Sequence, residues 1–206
     1  MDRQLIFFFF ALAWASSVSG GTILFLGDSL TAGLGVEQGQ AFPTLIQEKI
    51  REKNLPFEVI NAGISGDTTA GGLARLDWVL QKKIDVLVLA LGANDGLRGL
   101  PVTQMKTNLQ AIIDQVKTKN PAVKTVIAGM RMPPNLSGDY SEAFQKVYGD
   151  LARENNAALV PFLLEGVGGH DDLNQADHIH PTAAGHKVVA ENVWRVLAPL
   201  LTNGGS

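Results

Sequence analysis

The sequence predicts a single-domain, three-layer α/β/α fold around about five parallel strands. Three observations carry this reading. Short apolar runs rich in β-branched and aliphatic residues alternate with amphipathic stretches of helical period, the joints between them are short and turn-rich, and no internal repeat or low-complexity linker interrupts the series. With 206 residues, 46% of them hydrophobic and 18% charged, the chain has enough apolar surface for one sizeable core.

Residues 22–26 (TILFL), 57–60 (FEVI), 86–91 (VLVLAL), 123–128 (VKTVIA) and 159–162 (LVPF) read as short buried strands. Helical stripes lie between them. Phe42, Leu45, Ile46 and Ile50 share a face, with Pro43 near the first turn. Met105, Leu109, Ile112, Ile113 and Val116 form a second stripe, and Phe144, Val147, Tyr148 and Leu151 a third. Val189, Val193, Val196, Leu197 and Leu200 form the last, before Gly204 and Gly205. Strict strand and helix alternation requires right-handed crossovers and a parallel sheet with helices on both faces. Such sheets bind ligands at the carboxyl ends of their strands, so the loops after each strand are where function is expected.

Composition removes several function classes. A formal charge of -3 without Lys or Arg runs lacks the electrostatic footprint of a nucleic-acid binder. The absence of Cys excludes disulfides, thiolate zinc sites, iron–sulfur clusters and a cysteine nucleophile. Covalent catalysis would therefore use oxygen or nitrogen.

The amino end differs from the rest. Residues 5–15 (LIFFFFALAWA) are apolar but too few to span a ~30 Å hydrocarbon core comfortably, and Ser16, Ser17, Val18, Ser19 and Gly20 follow. Residues 1–19 thus read as a secretory signal peptide, although Asp2 offsets Arg3 at its start. Its removal would leave residues 20–206 without a stable membrane span and place them in the periplasm or outside the cell. A retained anchor or a packed N-terminal helix are the other readings.

The first strand runs into Gly27-Asp28-Ser29-Leu30-Thr31-Ala32-Gly33. Asp28 or Ser29 can serve as an N-cap there. Dinucleotide binding fails on spacing, because Gln38 stands where a third small residue is needed after Gly33 and Gly35, and no glycine-rich loop with a lysine is present. Alternatively, Ser29 is a nucleophile at a helix start, where its own N–H favours a developing oxyanion. After the second strand, Gly66 lets the backbone approach a ligand closely, while Asp67 or Thr68 can cap the next helix. Asn94, after the third strand, either closes a turn or aims its amide at the same point.

The last loop carries Asp177-His178-Ile179-His180-Pro181, and all four histidines (His170, His178, His180 and His186) fall in this region. A metal-dependent hydrolase using the His/Asp cluster at 170–186 is one reading, since imidazoles and a carboxylate can bind zinc. No HExxH helix accompanies them, so no metal is expected. Pro181 keeps His180 out of the α region and fits the start of the final helix, placing His180 on an exposed loop. The short tether brings Asp177 to the imidazole and fixes the tautomer whose other nitrogen accepts a proton. His178 and His186 then read as surface or packing residues.

Together, GDSLTAG, NAGISGDTT, LGANDG and DHIHP resemble the four ordered blocks of the SGNH subgroup of GDSL hydrolases, across about residues 27–181. Within that family the chain is similar to bacterial thioesterase I, lysophospholipase and arylesterase-type enzymes, with ISGDT, GLARL and NDGLRG alike in form. The resemblance implies a flavodoxin-like SGNH hydrolase fold for residues 20–206, and a serine esterase acting on a small acyl ester or thioester. It makes Ser29 the nucleophile, Asp177 and His180 the rest of a triad, and Ser29, Gly66 and Asn94 the oxyanion hole. It implies no cofactor. Gly63 departs from relatives that carry serine at this position. Leu30, Leu97, Leu100 and Leu136 are expected to line the acyl pocket, from loops 96–101 and 132–140 among others. Arg98 is either an attractor of anionic substrate or a solvated loop charge. A non-catalytic flavodoxin-like binding module is the non-enzyme alternative.

Overall fold

The computed structural model describes residues 20–132 and 138–202. Five parallel strands, β1 (Gly21–Gly27), β2 (Phe57–Gly63), β3 (Val86–Ala90), β4 (Lys124–Ala128) and β5 (Ala158–Val160), lie in the order β2-β1-β3-β4-β5. The helices are α1 (Ser29–Ala32), α2 (Phe42–Glu52), α3 (Thr69–Ala74), α4 (Leu76–Val79), α5 (Ala93–Leu97), α6 (Val102–Lys119), α7 (Gly138–Asn155) and α8 (Ala183–Thr202). From β1 the chain turns first to β2 on one side and then to β3 on the other. The point where the strand order reverses therefore lies between β1 and β3, and the loops bearing Ser29 and Asn94 flank it.

The strands form because their side chains are buried against helices on both faces. All five residues of β3 and Ile23 to Leu26 of β1 are almost fully excluded from solvent. Each such aliphatic side chain contributes roughly 1.5–3 kcal/mol of transfer free energy. Phe25 meets Phe42 of α2 edge to face, with ring centroids 5.7 Å apart. Every residue of the α6 stripe, and of the α7 stripe, is buried.

Three boundaries differ from the sequence reading in ways that matter for the site. β2 runs three residues beyond Ile60, so Asn61 to Gly63 pair with Phe25 to Gly27 and carry the sheet up to the loop of Gly66. β5 ends at Val160, because Pro161 has no N–H to continue the ladder, and Phe162 is released from the strand. Pro181 does not open the final helix. It forms an isolated bridge with Asn174 two residues before α8, where Thr182 Oγ1 accepts the Gly185 N–H.

Candidate active site

At the end of β1, Asp28 caps α1, its Oδ1 accepting the Leu30 N–H at 3.0 Å. Burial pushes its carboxyl up to about 6, and the hydrogen bond from Leu30 works against that rise. Ser29 is thereby fixed as the first residue of α1, where a backbone N–H has no acceptor within the helix. Gly33, with φ +79°, ends the turn by donating to the Ser29 carbonyl.

The loop before α8 supplies the imidazole. Asp177 Oδ1 accepts the N–H groups of Ile179 and His180 at 2.9 and 3.0 Å, winding the chain into a tight turn that passes through His178 at φ 57°. Its other oxygen, Oδ2, lies 2.6 Å from His180 Nδ1. These backbone and side-chain donors hold the Asp177 carboxyl well below the usual carboxylate range. An ionised carboxylate only accepts, so Nδ1 carries the hydrogen and Nε2 is the acceptor. Ser29 Oγ lies 2.8 Å from that Nε2. The imidazole is less exposed than a free loop residue, with 16% of its side chain accessible.

Opposite stands the loop between β2 and α3. Gly66 has φ +84°, a conformation glycine adopts without strain, and it borders the same cleft as Ser29, Asn94 and His180. Thr68, and not Asp67, caps α3, its Oγ1 accepting the Gly71 N–H. Asn94 Nδ2 donates to the Asp67 carbonyl at 2.9 Å, which leaves its second amide hydrogen uncommitted by that bond. Arg98 Nη2 donates to the Gly66 carbonyl at 2.8 Å, so this guanidinium braces the loop. Asp95, buried beside Asn94, accepts from Thr69 N and Oγ1 and ties the starts of α3 and α5 together.

The cleft has a volume of about 740 Å³. Leu30 and Leu97, expected from the sequence to line an acyl pocket, border this cleft. Leu100 does not border it: its N–H closes back on the Asp95 carbonyl, its own carbonyl accepts from Tyr140, and the residue is 37% exposed. Leu136 and residues 1–19, read from the sequence as a signal peptide, lie outside the described residues. Met130, Met132, Phe162 and Leu164, from the loops after β4 and β5, make up much of the apolar wall. Sequence reading assigned Phe162 to a strand and overlooked Met130 and Leu164. Their only sequence signal is position, just past the carboxyl ends of β4 and β5.

The histidines separate. His178 is exposed with Nδ1 3.1 Å from Asp171 Oδ1, whereas His186 is buried and stacked on Phe42. Among the described residues no group of three His, Cys, Asp or Glu side chains is placed to hold a metal ion. Gln175 was also not anticipated. Its Nε2 donates to the carbonyls of Leu34 and Pro181, tying the loop that follows α1 to the loop of His180.

A hydroxyl, an imidazole and a carboxylate in series at the switch point of a parallel α/β sheet are the arrangement expected of a hydrolase. The GDSL-like Lipase/Acylhydrolase family matches residues 25–188, and the chain belongs to this family, as an esterase of GDSL/SGNH type. Esterase TesA of Pseudomonas aeruginosa is 44% identical over 87% of this chain and 89% of its own length. The Escherichia coli protein named thioesterase 1/protease 1/lysophospholipase L1 is 36% identical over 97% of this chain and 94% of its own. Among solved structures, the psychrotrophic esterase EstA from Pseudoalteromonas, inhibited by monoethylphosphonate, superposes with a TM-score of 0.83 at 34% identity. That match covers 89% of this chain and all of EstA.

Proposed function

We propose that the chain hydrolyses carboxylic esters, lysophospholipids and acyl thioesters among its candidate substrates, through an acyl-enzyme on Ser29. The observation that carries this reading is the Ser29–His180–Asp177 series, with heavy-atom separations of 2.8 and 2.6 Å. Ser29 Oγ attacks the acyl carbonyl carbon as His180 Nε2 takes the hydroxyl proton. Asp177 holds the ring and stabilises the imidazolium. The N–H groups of Ser29 and Gly66 and the free amide hydrogen of Asn94 meet the tetrahedral oxyanion. His180 then protonates the departing alkoxide or thiolate, and afterwards removes a proton from the water that attacks the acyl-enzyme, releasing the acid and restoring Ser29.

Relatives named esterase, arylesterase, and thioesterase/lysophospholipase support both ester and thioester chemistry. The apolar wall of Met130, Met132, Phe162 and Leu164 suits an acyl chain. A panel of p-nitrophenyl esters and acyl thioesters, with acyl groups from acetyl to palmitoyl, tests the reading. Saturable hydrolysis that is lost when a phosphonate labels Ser29 is the expected result, and an inert chain or phosphonate-insensitive turnover would refute it.

Residues 1–19 are proposed to direct export to the periplasm or beyond. The run at 5–15 and the small residues after it support this. Among the described residues no helix is long and apolar enough to cross a membrane. N-terminal sequencing of the chain recovered from outside the cytoplasm should begin at or near residue 20; an intact Met1 would overturn the proposal.

A further inference from the structure

Arg75, the basic residue of the GLARL run, fills the single-residue joint between α3 and α4. Its Nε donates to Asp67 Oδ2 at 2.6 Å, and its Nη2 to the carbonyls of Ala62 at 2.7 Å and Gly27 at 3.1 Å. Both side chains of the ion pair are mostly buried, 17% and 15% exposed. Gly27 is the last residue of β1, immediately before Asp28 and Ser29, and Ala62 is the penultimate residue of β2. One guanidinium therefore joins the end of the strand that leads to Ser29, the end of the neighbouring strand, and the loop that bears Gly66.

The reach extends further. Asp67, held through its carboxylate by Arg75, presents its backbone carbonyl to Asn94 Nδ2. The amide plane of Asn94 is set by that bond, and so is the direction of its remaining hydrogen. Gly66 directly precedes Asp67, so a shift of Asp67 also moves the Gly66 peptide. Asn94 and Gly66 thus share a support whose far end is Arg75, alongside the Arg98 bond to the Gly66 carbonyl.

We propose that Arg75 is a positioning residue for oxyanion stabilisation, acting through Asp67 on Asn94 and Gly66; this rests on the oxyanion roles proposed above. Oxyanion donors act only if aimed before charge develops, and displacement of about 1 Å can cost on the order of 10²-fold in rate. The fork geometry explains why arginine serves here. A lysine ammonium is a point charge that cannot reproduce the planar arrangement of donors reaching a carboxylate on one side and two strand-end carbonyls on the other.

The competing account makes Arg75 a cross-brace that holds the sheet edge together without bearing on the reaction. Full-length Arg75→Met, Arg75→Lys, Asp67→Asn, Asn94→Ala and the Arg75→Met/Asn94→Ala double variant distinguish the two. Each is examined by circular dichroism, p-nitrophenyl butyrate kinetics and the rate of phosphonate labelling at Ser29. Folded Arg75→Met is expected to lose about 10- to 100-fold in kcat with KM within about 2-fold, and to label more slowly by a similar factor. Arg75→Lys should recover only part of the loss, and its acid limb of the pH profile should stay in place. The double variant should lose clearly less than the product of the two single losses, because both substitutions disable the Asn94 arm of the same support.

Unchanged kcat in folded Arg75→Met, or losses that multiply in the double variant, would overturn the proposal. If Arg75→Met does not fold, Arg75→Lys and Asp67→Asn carry the same comparison, and full activity in both is the overturning result. Failure of the underlying reading has its own signature: Ser29→Ala would retain turnover whatever Arg75 does.

Discussion

Ser29 Oγ and His180 Nε2 lie 2.8 Å apart although 151 residues separate them in the chain. On the proposed reading, that distance brings a weak nucleophile within reach of its base without any rearrangement of the fold. Ser29→Ala and His180→Ala should each lower ester kcat by at least about 10⁴-fold while circular dichroism and unfolding midpoints stay near wild type. Full turnover in either folded variant would remove that residue from the reaction.

Asp177 is bound to three donors, two backbone N–H groups and the His180 ring. In Asp177→Asn, the backbone turn can persist through the retained oxygen, but the new NH₂ would face Nδ1 and favour the wrong tautomer. A kcat loss of about 10⁴-fold with little change in stability is expected.

The proposed proton-accepting role of His180 predicts that kcat/KM is lost at acid pH, because an imidazolium cannot serve as base. Asp28 also changes charge on acidification, its carboxyl pushed up to about 6 by burial. Asp28→Asn separates the two, since the acid limb should persist in it. Disappearance of the limb would assign it to Asp28 instead.

Gly63 offers a prediction about spacing. A Cβ built there would lie 2.2 Å from Ala32 N and 2.7 Å from the Thr31 carbonyl carbon, both backbone atoms of the turn that begins at Ser29. Serine at this position therefore requires α1 to move away from the end of β2. Gly63→Ser should cost about 1–3 kcal/mol in urea unfolding and slow phosphonate labelling of Ser29. Wild-type stability together with wild-type labelling would mean that the turn yields freely.

Much of this architecture was legible in the chain itself. β1 and β3 are buried on both faces, so Ile23 to Leu26 and Val86 to Ala90 read as uninterrupted apolar runs. The polar residues brought together at the carboxyl edge were also visible, because Ser29, Gly66, Asn94 and Asp177 lie in turn-rich joints. What stayed hidden were side chains that act on backbone carbonyls. Arg75 serves Gly27 and Ala62, and Gln175 serves Leu34 and Pro181; no side-chain pattern records a carbonyl acceptor. Leu100 was misplaced because its loop turns back on Asp95, a closure decided by backbone bonds. The burial of His186 did leave a trace, since it falls in helical register with Val189, Val193 and Leu197.

His186 and Asp28 predict opposite dependences of stability on pH. His186 Nδ1 accepts the Phe42 N–H, while Nε2 is buried without a partner among the described residues. Burial first, and then the nearby His180, bring its imidazole down from 6.5 to about 4. The unfolded chain therefore takes up this proton first, and the folded state loses roughly 3 kcal/mol relative to it as pH falls from 6.5 through 4. Asp28 runs the other way. Its folded carboxyl titrates near 6 against 3.8 unfolded, so its contribution is fully present below 3.8 and is lost as pH rises through 6. Relative to wild type, His186→Gln should become more stable as pH falls across this window, and Asp28→Asn more stable as pH rises. Urea unfolding at about pH 4.5 and 6.5 reads both differences. If the two differences move in parallel, or neither changes with pH, these buried groups do not titrate as their surroundings require.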